Sequence, residues 1–220
     1  MTFAEWAAKM KGHFERCFWI PSDRRQDKDY DLVPKMINRR GIYKDVYGSS
    51  DVYTDYQLRP NICIAMSYAP ELFNHANAQT CLVNIANILM EKGCMGIKTL
   101  DPKDGQYNGD YVNSDESHGF NYHQGPEWVW PVGFFLKAQL IFMDYQSKDE
   151  AKHETMKWLL PHKEHILKDK WQGLPELTNS HGQTCHDSCV TQAWSISTIV
   201  DALRDLHYFG EDERAVLQRE

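Results

Sequence analysis

Residues 119–131 read GFNYHQGPEWVWP and bring Tyr122, His123, Gln124, Glu127, Trp128 and Trp130 into nine consecutive positions. A sugar site needs aromatic faces for the C–H side of the ring and planar polar groups for its hydroxyls, and this segment offers both. A structural reading stands beside it: Trp128 and Trp130 anchor the start of the following helix, and His123 is a satisfied structural histidine. Residues 173–179 read GLPELTN and place Glu176 after a proline, ahead of a polar stretch and the last helix. A loop carboxylate near aromatic residues is a candidate general base, because hydrolysis needs a group that takes a proton from water. Taken alone, a loop glutamate is ordinary surface charge.

A third segment, YKDVYGSSDVYTDYQLRPN, carries Asp45, Asp51, Asp55, Arg59 and Asn61. Arg59, fixed before Pro60, is suited to clamp hydroxyls or orient a carboxylate; it is equally suited to pair with Asp55 as a structural contact. Asp101, Asp104, Asp110, Asp115 and Glu116 crowd the middle of the chain, yet the calcium-loop pattern of Gly at six and Glu at twelve is absent, so they read as solvated charge. His181, Cys185, His186 and Cys189 include a C-x3-C spacing but no second cysteine pair, so free thiols are the preferred reading over zinc. A Gly-rich phosphate cradle and a G-x-S-x-G elbow are both missing from the sequence. No cofactor or metal is called for.

The elements that must position these groups are helical by apolar spacing. Helices are expected at about 3–19, 61–68, 76–90, 132–145, 148–168 and 190–206, the fifth interrupted by Pro161. Strands of any length are not evident; residues 30–33 and 42–46 are at best short extended pieces. Three long connections, at 21–59, 96–131 and 173–188, separate the helices, and their Trp and Tyr content argues against disorder. Helices joined by long loops suit an all-α toroid whose loops gather over one mouth.

Composition narrows the function. The 220 residues carry 24 Lys plus Arg against 31 Asp plus Glu, a net charge of -7, which lacks the basic footprint of a nucleic-acid binder or a membrane-surface protein. A neutral ligand fits this balance. The chain has no apolar run long enough to span a bilayer, and residues 1–11 carry Glu5 and no continuous apolar core, so neither a span nor a signal peptide is expected. Six cysteines without an export signal read as reduced thiols in a cytoplasmic protein.

Four strings, DYQLRPNICIAMSYAPELF, GIKTLDPKDGQYNGDY, GFNYHQGPEWVWPVGFFLKAQL and WQGLPELTNSHGQTCHDSCVTQAWSISTIVDALRDL, together with RGIYKDVYG, resemble the C-terminal end of eukaryotic glycogen debranching enzymes, their amylo-α-1,6-glucosidase part. The resemblance covers roughly residues 40–206, so residues 40–220 read as family core and 1–39 as an N-terminal helix with a charged connection. It implies an (α/α)6 toroid of the glucoamylase-like type, of which six helices here are about the closing half. Half a toroid would leave apolar faces exposed. It also implies inverting hydrolysis of α-1,6-linked glucose at glycogen branch stubs, within a larger bifunctional enzyme that also holds a 4-α-glucanotransferase. On this resemblance Glu176 is the general base, 191–195 (TQAWS) is the helix start that backs it, Tyr122, His123, Gln124 and Trp128 bind the glucosyl unit, Glu127 is a competing carboxylate, and Arg59 and Asn61 form the RPN turn at the rim. The family's general acid is an Asp in a motif resembling C-G-T-W-M-D-K-M-G, which this sequence does not contain. The expectation is a chain with the base but not the acid, partnered by glycogen or limit dextrin and by the N-terminal remainder of the enzyme. The alternative is a catalytically silent glucan-binding fragment or a truncated product.

Overall fold

The computed structural model describes residues 1–112 and 120–211, so Asp115, Glu116 and Gly119 lie outside the described residues. Helix α1, Phe3–Phe18, opens with a reciprocal cap: the Thr2 hydroxyl accepts from the Glu5 amide and the Glu5 carboxylate from the Thr2 amide. Only its C-terminal turns dock. Phe14 and Phe18 stack on each other, Phe14 packs against Tyr43 and Phe73 and Phe18 against Tyr47, whereas Phe3 and Trp6 are 88% and 51% exposed. The chain then forms strand β1 (Trp19–Ile20), which pairs antiparallel with β2 (Ile42–Tyr43). A short α2, Val52–Asp55, leads to α3, Ile62–Tyr68, and α4, His75–Leu89.

The centre of the molecule is α5, Trp130–Phe142, buried on nearly every side and packed along α3, α4 and α7 (Ala193–His207). Its sequence is apolar around the whole circumference, which is the pattern of a core helix rather than a surface one. Phe135 and Leu136 meet Leu82, Ile85 and Met66 in the main core. Gly133 sets the α5–α7 distance: a β-carbon there would lie 2.3 Å from the Thr198 carbonyl. The close approach is completed by the Thr198 hydroxyl donating to the Trp130 carbonyl at 2.8 Å. Lys137, buried on the same helix, reaches Asp205 at 3.2 Å and also pairs with Asp201.

Helix α6, Lys148–Lys168, is capped by the Ser147 hydroxyl and runs unbroken through Pro161, where an interruption was expected. Proline removes one amide hydrogen, but twenty neighbours and the buried Ala151, Thr155, Leu159 and His162 hold the helix in place. The all-α expectation needs a second correction. A four-stranded antiparallel sheet, ordered β3 (Ile97–Lys98), β4 (Glu127–Trp128), β5 (Leu177–Asn179) and β6 (Gln183–Thr184), lies in the connections that read as loops. Strands of two or three residues are too short to write an alternating pattern. Among the described residues no helix is long and apolar enough to cross a membrane, and all six cysteines are free.

Two outcomes follow from this packing. Gly133→Ala should lower the unfolding free energy by about 1–3 kcal/mol, read from a urea midpoint, because the methyl meets backbone that cannot yield. His162 is 3% exposed, with a ring nitrogen on the Trp158 carbonyl at 3.2 Å, and burial pulls its pKa down to about 4 from 6.5. The unfolded chain therefore takes up a proton that the folded chain refuses, and stability should fall as pH drops from about 6.5 toward 4. A His162→Asn variant with the same pH slope as wild type over that window would show that His162 is not its source.

Candidate functional site

Glu176 is held by its backbone before its side chain is considered. Its amide donates to the Cys189 carbonyl at 2.9 Å, and its own carbonyl accepts from Val129 at 3.2 Å. On either side, the Gln192 amide donates to the Leu174 carbonyl at 2.8 Å and the Ser195 hydroxyl to the Pro175 carbonyl at 2.8 Å. The start of α7 thus backs the loop, as the 191–195 string implied. In the sheet, Glu127 lies opposite Thr178 and Trp128 opposite Leu177, which fixes the register of β5 directly after Glu176.

The carboxylate has one donor on each oxygen. The Tyr122 hydroxyl donates to Oε1, and the Cys189 amide to Oε2 at 3.1 Å. Each oxygen keeps a further acceptor position. Burial and the neighbouring Glu176 carboxylate both push the Tyr122 phenol upward, so it stays a donor at neutral pH. Tyr122 is placed by rings: Tyr111 and Trp128 lie 4.8 Å from it, centroid to centroid. Trp128 is buried, stacks on His123 at 4.7 Å, and donates its indole N–H to the Tyr122 carbonyl at 2.8 Å. It supports the two residues from behind.

Beside this pair is an open cavity of about 490 Å³. One wall is Asp45, Gln57, Arg59 and Asn61 with Thr54; the other is Phe120, Tyr122, His123 and Gln124. Of the residues expected at a sugar, the cavity gathers Tyr122, His123, Gln124, Arg59 and Asn61. Glu176 stands behind the wall and meets the cavity through Tyr122. Arg59 is the brace between the two walls. It donates to Gln57 Oε1 at 2.9 and 3.1 Å, to the Thr99 carbonyl at 3.1 Å, to the His123 carbonyl at 2.7 Å, and to the Gln124 side chain. With its donors so committed, Arg59 positions the HQG turn. It does not pair with Asp55, whose oxygens instead accept from the amides of Gly48 and Ser49. Gly125 closes the turn at φ 151, where a β-carbon would lie 2.3 Å from the Asn108 carbonyl. Burial, reinforced by the Arg59 charge, lowers the His123 pKa and keeps its ring neutral at pH 7.

Glu127 and Trp128 do not line the cavity. Glu127 is fully buried on the other face of the sheet, where Oε2 accepts from the Thr178 hydroxyl and the Gly182 amide, both at 3.0 Å, and Oε1 meets the Lys98 ammonium at 3.2 Å. Lys98 also reaches Glu91 at 3.0 Å, and Glu91 in turn pairs with His181 at 2.9 Å, raising the His181 pKa. Glu91, Cys94 and Glu127 bring possible ligand atoms within 4.8 Å of one another. Lys98 already supplies the cation there, and burial pushes the Cys94 thiol up to about 12, so this cluster is an ion-pair anchor rather than a metal site. The His181, Cys185, His186 and Cys189 set is not drawn together either: Cys185 donates to the Tyr111 carbonyl and Cys189 to the Thr191 carbonyl.

Sequence reasoning left the roles of Gln57, Thr54 and Phe120 unread, and gave Asp45 no role apart from its neighbours. Only their adjacency to the RPN and HQG strings could have flagged them.

The family model described as amylo-alpha-1,6-glucosidase matches residues 1–201. The glycogen debranching enzyme of Saccharomyces cerevisiae (strain ATCC 204508 / S288c) is 41% identical over 231 aligned residues, which cover 97% of this chain and 15% of that protein. The chain thus spans 15% of the length of the curated relative it matches.

The two carboxylates should respond differently to mutation. Glu127→Ala leaves the buried Lys98 with Glu91 alone and takes the acceptor from the Thr178 hydroxyl and the Gly182 amide, and is expected to cost about 3–5 kcal/mol of stability in urea unfolding. Glu176→Gln, at a partly buried position and with the shape of the side chain kept, should shift the midpoint by well under half of that. Equal losses for both would contradict the division between anchor and site.

Proposed function

The chain belongs to the amylo-alpha-1,6-glucosidase family, and from that premise we propose that it supplies the general-base half of an inverting glycosidase site acting on α-1,6-linked glucose at glycogen branch stubs. The observation that carries this reading is the Glu176 carboxylate, pinned at both backbone ends and oriented by Tyr122 and the Cys189 amide beside a cavity lined by polar and aromatic groups. In inversion the base takes a proton from a water that attacks the anomeric carbon, while an acid opposite protonates the departing glycosidic oxygen; the two carboxyl groups stand about 6.5–9.5 Å apart. Glu176 is the base. Tyr122 fixes the orientation of its Oε1, leaving an acceptor position for the water. His123 and Gln124 face the glucosyl unit, Asn61 stands at the rim, and Arg59 and Trp128 hold these groups in place.

The acid is supplied from outside this sequence, by the N-terminal remainder of a larger enzyme that also carries a 4-α-glucanotransferase. The chain forms the closing half of an (α/α)6 toroid, with residues 40–220 as the family core. Apolar faces left open on α1 and α7 support this: Phe3 is 88% exposed, and Trp194 and Val200 are 48% and 57% exposed. A cytoplasmic setting, with glycogen or limit dextrin as substrate, agrees with the free thiols.

Glucose release from phosphorylase-limit dextrin tests the proposal. The chain alone is expected to release little. Joined to the remainder that brings the acid, it should release glucose, and Glu176→Gln should lower that rate by at least about a hundredfold. Undiminished release by Glu176→Gln would remove Glu176 from the chemistry. Dextrin retained by the chain with no release in the joined protein would favour the silent glucan-binding reading.

A further inference from the structure

The acids around the cavity are nearly all consumed by structure. Asp51 caps α2 through the Tyr53 amide at 3.1 Å. Asp55 accepts from the Gly48 and Ser49 amides at 2.8 and 3.1 Å. Asp101 is clasped by Arg39 Nε and Nη2 and by the Lys103 amide, and Asp104 accepts from the Gln106 amide and from Gln57. Asp45 is the exception. Its side chain is 12% exposed and lines the cavity, yet it receives one hydrogen bond, from Asn61 Nδ2 to Oδ1 at 2.9 Å. Arg59 Nε is 3.8 Å from Oδ2 and gives its hydrogen to Gln57 Oε1 instead. Among the described residues, Oδ2 accepts no hydrogen bond.

That arrangement is particular in its chemistry. A carboxylate this deeply placed is costly unless donors reach it, so a largely desolvated oxygen with free acceptor positions favours a ligand that brings hydrogens. The Arg59 charge lies close enough to offset the carboxylate without occupying it. An anionic ligand is repelled by Asp45, and a cationic one meets Arg59. What fits is a neutral polyol whose adjacent hydroxyls donate. The backbone holds the group in place: the Asp45 amide donates to the Asp55 carbonyl at 3.0 Å. Tyr122 and the largely exposed Phe120 offer ring surface on the opposite wall.

We propose that Asp45 is a substrate-positioning residue, whose Oδ2 accepts hydroxyl hydrogens of the glucosyl unit and so fixes how the ring sits in the cavity. This rests on the reading of the cavity as a sugar site. Burial raises the Asp45 pKa against the opposing pull of Asn61 and Arg59, which agrees with an oxygen awaiting donors.

The test is a saturation-transfer NMR titration of the chain with D-glucose and with its 2-, 3-, 4- and 6-deoxy derivatives, comparing wild type with Asp45→Asn and Asp45→Glu, each checked for folding by circular dichroism. Asp45→Asn should weaken glucose about tenfold or more, as expected for loss of a charged hydrogen-bond acceptor. That loss should vanish for the derivative lacking the hydroxyl that Asp45 accepts and persist for the others. Asp45→Glu keeps the charge but moves its oxygens, and should show the same selective pattern; it carries the test if Asp45→Asn does not fold. Equal weakening on every sugar, or none, would overturn the proposal while leaving the sugar site standing. Wild-type chain that takes up none of the sugars would overturn the sugar-site reading and this proposal with it.

Discussion

Two backbone hydrogen bonds on one residue organise this molecule. The Glu176 amide is tied to Cys189 and its carbonyl to Val129. Val129 stands one residue before α5, the buried central helix, and Cys189 stands four before α7, its closest partner. The Glu176 carboxylate is therefore placed where the N-terminal ends of the two most tightly packed helices converge. Gly133 and the Thr198 hydroxyl set the spacing of those helices, so the packing of the core and the position of the carboxylate are one constraint.

The small sheet extends that constraint to the far side. β4 carries Glu127 into the interior and Trp128 toward Tyr122, so one strand holds both the ion-pair anchor and the aromatic support. A buried lysine between two glutamates is weak as a source of net stability, because desolvating the charges offsets much of their attraction. Its effect is specificity of place: Lys98 and Glu127 fit together only when β3, β4 and the 180–182 turn are in register.

Much of the helical frame was legible in the sequence because helices write their period over many residues; α4, α5, α6 and α7 lie within a few residues of where apolar spacing put them. The sheet was not, since two residues cannot show an alternation. Tyr122, His123 and Glu176 stood out by residue type, as an aromatic and polar string and a loop carboxylate, but residue type left a structural reading equally open, and only the resemblance of long strings to a family attached roles to them. Glu127 illustrates the limit. Its neighbours in GPEW suggest a site, but the alternation of a strand turns its side chain away from Tyr122, and only the strand reveals that. Asp45 and Asp55 differ in surroundings, Asp45 lining a cavity and Asp55 accepting from two amides, a distinction that no one-dimensional spacing carries.

The cavity and its carboxylate are assembled from four pieces of chain, around residues 45–61, 97–99, 120–129 and 174–195. No two of them are joined by a short hairpin. Every contact across the site closes a long loop, and the entropy of that closure must be met before any of the contacts contributes. The geometry of the site is consequently a joint property of the four pieces, with no partly formed version that a single segment could hold by itself. A helix such as α6 is specified by the period of one stretch of sequence, whereas this site exists only when all four pieces are in place.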